Sequence, residues 1–363
     1  MGYKISVSQV FYIFLLSTGL SNHVLVIPLL IDAAGRDAWI SVLIGYLISI
    51  PFLLILLYVM KNLKNISLFD WLKSTYSAAF SRIIATLIAI YLLIVGWITL
   101  KETVTWTHET YLLNTPVLVI GLSILASSLY ISYGKINVIA ICAGVLLPLV
   151  IVFGCFVAIG TIPAKDYSFI TPVLVEDTWW DVGKGSIFVF GSLVELFLLV
   201  ILQDRVSKRM KFPHLLLLSL FLIILTLGPL LGSMAVFGPE EVERLRYPAF
   251  LQWRILSIGT YFNHLDFLSI YQWLSGSFIR LALILYLITK VFEMQSKKGR
   301  IVIQSVVCVL YLIFISIPIS DEQLAFFLRK YFYSGSSIFA VMVLLVLAIF
   351  IKKSKNRVSA NEK

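Results

Sequence analysis

The sequence predicts an all-α polytopic membrane protein, with about ten transmembrane helices in two inverted repeats of five. Three observations carry the membrane architecture, and a shared irregularity in the lead helices of the two halves carries the repeat. Hydrophobic residues make up 60% of the 363 residues and charged residues only 13%, far from the balance of a soluble domain. The apolar residues fall into runs of about 18–25 residues, long enough to cross a bilayer core as a helix that satisfies its own backbone. The loops between these runs alternate in charge along the chain.

The expected spans are residues 10–31, 38–60, 83–100, 116–133, 137–161, 186–202, 213–237, 267–289, 301–319 and 334–351. Residues 248–262 are apolar but short, and Arg254 and Gly259 interrupt them. They read as an interfacial or re-entrant helix. The chain is expected to form one membrane domain over residues 1–363. A first repeat covers about residues 8–161, an outer loop about 162–184 and a second repeat about 185–352, followed by a basic tail at 353–363.

Ten crossings put both termini on one side. With that side cytoplasmic, it collects Lys61, Lys64, Lys73 and Arg82, then Arg205, Lys208, Arg209 and Lys211, and later Lys352, Lys353 and Lys363. Acidic residues lean the other way, from Asp32 and Asp37 through Glu176, Asp177 and Asp181 to Glu240, Glu241 and Glu243. Basic residues resist translocation, so both termini are expected in the cytoplasm. The net charge of +10 then reflects short loops beside anionic lipid and gives no reason to expect nucleic acid. The first apolar run is too long for a signal-peptide core, and Pro28, Leu29 and Leu30 stand where a small-residue cleavage site would be. It is expected to remain as a span.

Nothing in the chain points to an enzyme, a cofactor or a metal. Cys142, Cys155 and Cys308 fall inside spans with no ligand spacing, and His23, His108, His214 and His264 are scattered. There is no GxGxxG, P-loop, HExxH or GxSxG motif.

The two halves share an irregularity in their lead helices. Span 1 carries Ser17, Thr18, Gly19, Leu20, Ser21, Asn22 and His23 at mid-membrane, and span 6 carries Gly191, Ser192, Leu193, Val194 and Glu195. Aligning Gly19 with Gly191 places His23 and Glu195 at equivalent positions. Small polar residues of this kind let a helix unwind and turn its backbone amides and carbonyls toward a ligand. The same residues also serve tight helix packing without any ligand. Thr18, Gly19, Ser21, Asn22, Gly191, Ser192 and Glu195 are therefore the candidate ligand residues, with His23 as a further candidate.

Glu195 and Arg280 lie near the middles of spans 6 and 8. A lone charge at that depth costs at least about 2.5–3.5 kcal/mol, so each needs a partner inside the bundle. They could form a structural pair. Alternatively, Glu195 is a ligand or proton site and Arg280 a fixed positive charge beside it, standing in for a bound cation. The tryptophans Trp39, Trp71, Trp97, Trp106, Trp179, Trp180, Trp253 and Trp273 fall near span ends and read as interface anchors. Residues 240–246 read as a solvated, charged loop.

Several stretches look familiar. Ile5, Ser6 and Gln9, Pro28, and above all Ala34-Gly35-Arg36-Asp37-Ala38-Trp39-Ile40 between spans 1 and 2 resemble the spore germination permease family. These proteins are the B subunits of nutrient germinant receptors in endospore-forming bacteria. Tyr247-Pro248, Arg254, Gly259 and Asp266 resemble the family's extracytoplasmic helix before span 8, and Arg280 stands where the family often has Lys. The chain departs from the pattern at Asn263-His264, where a Glu-Arg type of pair is expected. The resemblance implies a fold of the amino acid–polyamine–organocation transporter superfamily, with helices 1 and 6 discontinuous around a mid-membrane pocket. It also implies a small nutrient ligand such as an amino acid, a setting in the spore inner membrane, and two partners, a receptor A subunit and a lipoprotein C subunit. The alternative is a working amino acid transporter coupled to protons or another ion.

Overall fold

The computed structural model describes residues 4–63, 66–257, 259 and 263–361. Lys64, Lys363 and residues 258 and 260–262 of the expected 248–262 segment lie outside the described residues. The long helical segments are α1 (residues 7–34), α2 (Ala38–Asn62), α3 (Ala78–Thr110), α4 (Val117–Ser132), α5 (Ile136–Gly160), α6 (Trp179–Arg205), α7 (Phe212–Phe237), α8 (Leu268–Val291), α9 (Lys297–Ile315) and α10 (residues 321–361). Among the described residues, eight stretches are long and apolar enough to cross a membrane. One of these, Val7–Asn62, contains both α1 and α2, which meet at a sharp turn where Gly35 has φ 40°. The 16-residue α4 is apolar but shorter than the rest.

Local chemistry explains the helix starts. Ser6 and Gln9 form a capping box at α1, Thr178 and Asp181 form one at α6, and Ser320 and Gln323 form one at α10. Each satisfies amides that would otherwise lack partners at a helix N-terminus. The sequence-derived boundaries differ most at α3 and α10. Span 3 was expected to end at Leu100, yet α3 continues through Lys101, Glu102 and His108. Span 10 was expected to start at Ser334, yet helix begins at Asp321 and passes Arg329 and Lys330. In both places hydropathy falls while the backbone stays wound, because the charged side chains find partners on other elements: Glu102 meets Arg246, and Arg329 pairs with Asp32.

Several helix pairings repeat when each helix is replaced by the one five places later. α1 packs on α5 as α6 packs on α10, and α2 packs on α6 as α7 packs on α1. Likewise α3 meets α4 as α8 meets α9, and α4 meets α8 as α9 meets α3. α6 and α8 are the most deeply enclosed, whereas α5 and α9 present Ile141, Val145, Val152, Val306 and Ile313 outward. Such exposed apolar side chains suit lipid.

The lead helices are irregular where the sequence placed their small polar residues, but neither is broken. α1 widens to a π-helix over Ser21–Val26, and α6 tightens to a 3-10 helix over Val194–Leu198. The expected discontinuity is thus a change of pitch within a wound backbone. A π turn or a mid-helix 3-10 turn shifts the hydrogen-bond register and re-aims side chains at a local cost, and both are common at functional sites.

α2 and α6 pack closely over a long contact. A Cβ on Gly45 would lie 2.6 Å from the Val189 Cβ and 2.9 Å from the Ser186 carbonyl oxygen. We expect Gly45→Val to push these helices apart and destabilise the protein by about 1–3 kcal/mol or more, the usual cost of overpacking. Thermal unfolding of the purified protein in detergent should show a lower midpoint, and an unchanged midpoint would contradict the packing described.

Candidate functional site

Arg280 on α8 is 4% exposed and Glu195 on α6 is 3% exposed, and the two meet in a forked ion pair at the centre of the bundle. Arg280 Nη1 donates to Glu195 Oε2 at 2.8 Å, and Nη2 donates to Oε1. Nη1 also donates to the Ser17 carbonyl on α1 at 2.7 Å, and Nε donates to Thr99 Oγ1 on α3 at 2.9 Å. One guanidinium therefore joins α1, α3, α6 and α8. Its planar fork matches a carboxylate in a way an ammonium cannot, and it keeps its charge when buried.

The pitch changes supply these contacts. At the end of the first part of α1 the Ser21 amide donates to the Thr18 carbonyl, and the Ser17 carbonyl accepts from Arg280. In α6 the 3-10 turn begins at Val194 and carries Glu195. Local geometry and pair formation are thus one feature.

On the neighbouring side, Tyr333 of α10 is fully buried, and its hydroxyl lies 3.4 Å from Ser21 Oγ. Gly191 faces the Tyr333 backbone so closely that a Cβ would sit 2.7 Å from its carbonyl oxygen. Ser192 donates to Val189 within its own helix, at 2.7 Å, and Thr18 is buried nearby on α1.

The other candidates point elsewhere. A Cβ on Gly19 would meet Leu225 at 3.0 Å, Asn22 Nδ2 donates to the Leu222 carbonyl at 3.4 Å, and His23 Nδ1 lies 3.3 Å from the Leu225 carbonyl. All three face α7. The aligned glycines therefore serve different neighbours, α7 for Gly19 and α10 for Gly191. The aligned ionisable residues also differ, since Glu195 has a charged partner and His23 a backbone one. The structure brings Ser21, Gly191, Glu195 and Arg280 into one cluster and sets Gly19, Asn22 and His23 against the far side of α1.

Two buried polar atoms in this region lack a hydrogen-bond partner among the described residues, Ser17 Oγ and Asn22 Oδ1. Unpaired polar groups in an interior are uncommon and call for a ligand, a water or a functional reason. Thr99 and Tyr333 were not singled out from sequence. Thr99, Thr103 and Thr107 recur every four residues along one face of α3, a visible signal for a polar ridge. Nothing local distinguishes Tyr333 among the chain's 17 tyrosines.

Within the 240–246 segment Glu240, Glu241, Glu243 and Arg244 are exposed as a solvated loop would have them, and Arg246 is the exception, part of a second charge cluster. Arg246 Nη2 donates to Glu102 Oε1 at 2.6 Å, the Tyr247 hydroxyl donates to Oε2 at 3.2 Å, and Arg246 Nε lies 3.6 Å from Asp321. Glu102 itself is 2% exposed. Trp106 and Trp273 are corrected too. They are buried and stack on each other with centroids 4.1 Å apart, so neither is an interface anchor.

At the same end of the molecule a cavity of about 490 Å³ is lined by Ile31, Asp32, Ala33, Gly35, Asp177, Glu240, Glu243 and Arg244. Burial, and beyond it the neighbouring carboxylates, hold Asp177 and Glu243 above the usual carboxylate range.

Comparison with known proteins places this geometry. A family profile described as "Spore germination protein" matches residues 4–324. Spore germination protein XB of Bacillus anthracis is 37% identical over 349 residues, covering 96% of this chain and 98% of that protein. Among solved structures, the manganese transporter of Eremococcus coleocola in complex with an aromatic bis-isothiourea compound superimposes with a TM-score of 0.52 at 14% identity. The match covers 92% of this chain and 78% of the transporter. A point mutant of the same transporter gives a TM-score of 0.53 at 13% identity, over 96% and 81% of the two chains. At these identities the likeness concerns the fold. Among the described residues no group of three His, Cys, Asp or Glu is placed to hold a metal ion.

The ion pair makes a sharp energetic prediction. Removing one partner of a buried pair strands the other and typically costs about 3–5 kcal/mol. Glu195→Gln and Arg280→Gln should each destabilise the protein on that scale, whereas the double variant should be less destabilised than the sum. Unfolding of the four proteins in detergent measures the coupling. Additive effects, with no coupling beyond about 0.5 kcal/mol, would show that the two side chains do not interact.

Proposed function

The chain belongs to the spore germination protein family, and on that footing we propose that it is the transporter-like B subunit of a spore nutrient germinant receptor. It binds an amino acid or similar small germinant in mid-membrane, beside the pitch changes of α1 and α6, and signals to an A subunit and a lipoprotein C subunit. It resides in the spore inner membrane with both termini on the core side. The acidic end, which carries the 490 Å³ cavity, then faces the incoming nutrient.

One observation carries this reading. A charged pair sits at the junction of α1, α6 and α8, with an unpartnered polar atom, Ser17 Oγ, in the same place. Charges are expensive at membrane depth and cluster at functional sites. A scaffold with no ligand would be served as well by apolar packing, which often replaces buried pairs without loss of stability. Ser21, Gly191 and Glu195 are the residues proposed to line the site, with Arg280 the fixed charge beside them.

The second reading, an amino acid transporter driven by protons or another ion, draws on the likeness to a solved transporter fold. Uptake of labelled amino acids into proteoliposomes separates the two. A receptor subunit changes the germination response of spores without concentrative uptake, and a transporter shows uptake.

Arg280 also bears on ion coupling. Its guanidinium already occupies the α1 carbonyl of Ser17 and already supplies the positive charge that faces Glu195, so the site needs no further cation. Nutrient response should therefore persist when sodium is replaced by potassium or choline. Arg280→Ala should be defective and Arg280→Lys partly active, since charge is kept and the fork is lost. Germination assays on spores carrying each variant, with protein levels matched, test this. Loss of response on removing sodium, or a normal response from Arg280→Ala, would overturn it.

A further inference from the structure

Three bases surround a shallow cleft at the end of α2 opposite the acidic cavity. Lys61 in the last turn of α2 lines it with Lys208 and Arg209, which lie in the connection between α6 and α7. Met60, Val206 and Met210 line it too, and these are buried whereas the three bases are exposed. The 25 residues of α2 rise about 37 Å. A bilayer with its headgroups is about 40–45 Å thick, so the cleft lies at headgroup level.

The wall that carries Lys208 and Arg209 is braced. The Ile5 amide donates to the Arg205 carbonyl and the Ser207 amide donates to the Ile5 carbonyl, both at 2.8 Å. Gln203 Nε2 donates to the Ile66 carbonyl, also at 2.8 Å. These bonds tie the start of α1 and the loop after α2 to the stretch just before the two bases. Nearby acids are held by other partners: Asp204 pairs with Lys290 and Arg205, and Glu293 pairs with Lys73. Among the described residues Lys61, Lys208 and Arg209 form no ion pair. Like charges gathered without a counter-ion repel one another, and a bound anion relieves that repulsion.

The surroundings select the anion. α2 packs on α6, α7 and α10, and Leu47, Leu54, Tyr58 and Lys61 remain exposed along it. Spacings of seven, four and three residues keep these four on one helix face. An acyl chain lying along Leu47 and Leu54, with Tyr58 at the interface, brings its phosphate to Lys61. The cleft itself holds only about 20 Å³, room for about one water. It encloses no solute and grips only the edge of a larger molecule that lies outside it.

We propose that this cleft binds one anionic phospholipid, with the phosphate held by Lys61, Lys208 and Arg209 and an acyl chain along α2. Arg209 offers parallel N–H donors to two phosphate oxygens, and the two lysines act as point charges. A headgroup with no cation of its own leaves its whole charge to the three bases, and basic pockets beside membrane helices take such lipids. The site is separate from the Arg280–Glu195 pair and does not rest on the germinant reading.

The test uses the full-length protein in a neutral detergent, freed of co-purified lipid and titrated with dioleoylphosphatidylglycerol. Native mass spectrometry counts the bound lipid. The parent should hold it at least about tenfold more tightly than dioleoylphosphatidylcholine, which has the same chains and a choline cation. Lys61→Gln/Lys208→Gln/Arg209→Gln should weaken phosphatidylglycerol binding at least about tenfold. Lys61→Arg/Lys208→Arg keeps the charge and should bind as the parent does. So should Lys352→Gln/Lys353→Gln/Lys355→Gln, which removes as many charges from exposed positions on α10. Equal affinity for the two lipids overturns the site, as does unchanged affinity in the cleft variant or an equal loss in the α10 variant. Displacement of the lipid by millimolar inorganic phosphate would make the cleft a free-anion site. Binding of a polyglutamate peptide in place of lipid would make it a protein-docking site, and either result overturns the lipid assignment.

Discussion

The structure depends on a guanidinium that cannot lose its charge and cannot reach water. Arg280 must find acceptors inside the bundle, and it takes them from three other helices: the Ser17 carbonyl, the Thr99 hydroxyl and the Glu195 carboxylate. Lys at this place would offer three donors from a point and would not span the same acceptors. The fork fixes α8 against α1, α3 and α6 together, so their relative positions are set by hydrogen-bond geometry as well as by apolar packing. In lipid, where helices gain little from burying apolar surface against one another, such a polar centre weighs heavily.

The two pitch changes lie where these contacts are made. The Ser17 carbonyl that accepts from Arg280 lies one turn before the π turn that begins at Ser21, and Glu195 sits inside the 3-10 turn that begins at Val194. The backbone stays wound in both. An extended, unwound stretch would leave more amides and carbonyls to satisfy in a bundle this closely packed. Gly191 shows how close the packing is, with the Tyr333 backbone filling the place of its missing Cβ.

Hydropathy made most of the helical segments legible in the sequence, and the small polar residues marked where α1 and α6 change pitch. The Glu195–Arg280 pair was legible as a pair of expensive charges, since each had to find a partner. The direction each small residue faces was not. Gly19 and Gly191 look equivalent in the chain, yet one abuts α7 and the other α10, because helix rotation is set by packing and leaves no local trace. The outer ends of α3 and α10 were hidden for a related reason. Glu102 and Arg329 lower the hydropathy of their segments, and only their distant partners, Arg246 and Asp32, reveal that the helix continues. The resemblance to the spore germination family supplied the expected ligand class and partners, which no residue pattern contains.

The two charge pairs stand at different depths and share one helix. Thr99 of α3 holds Arg280, and Glu102, one turn along the same helix, holds Arg246. The central pair joins four long helices, whereas the outer pair joins a long helix to a loop whose arginine is part exposed. That difference sets which yields first. Breaking the central pair disturbs four helices and leaves two buried ions unmatched. Releasing Arg246 returns one ion to water and leaves a single carboxylate to be neutralised. The cheaper displacement is therefore at the end of the molecule that carries the acidic cavity, away from the rigid centre.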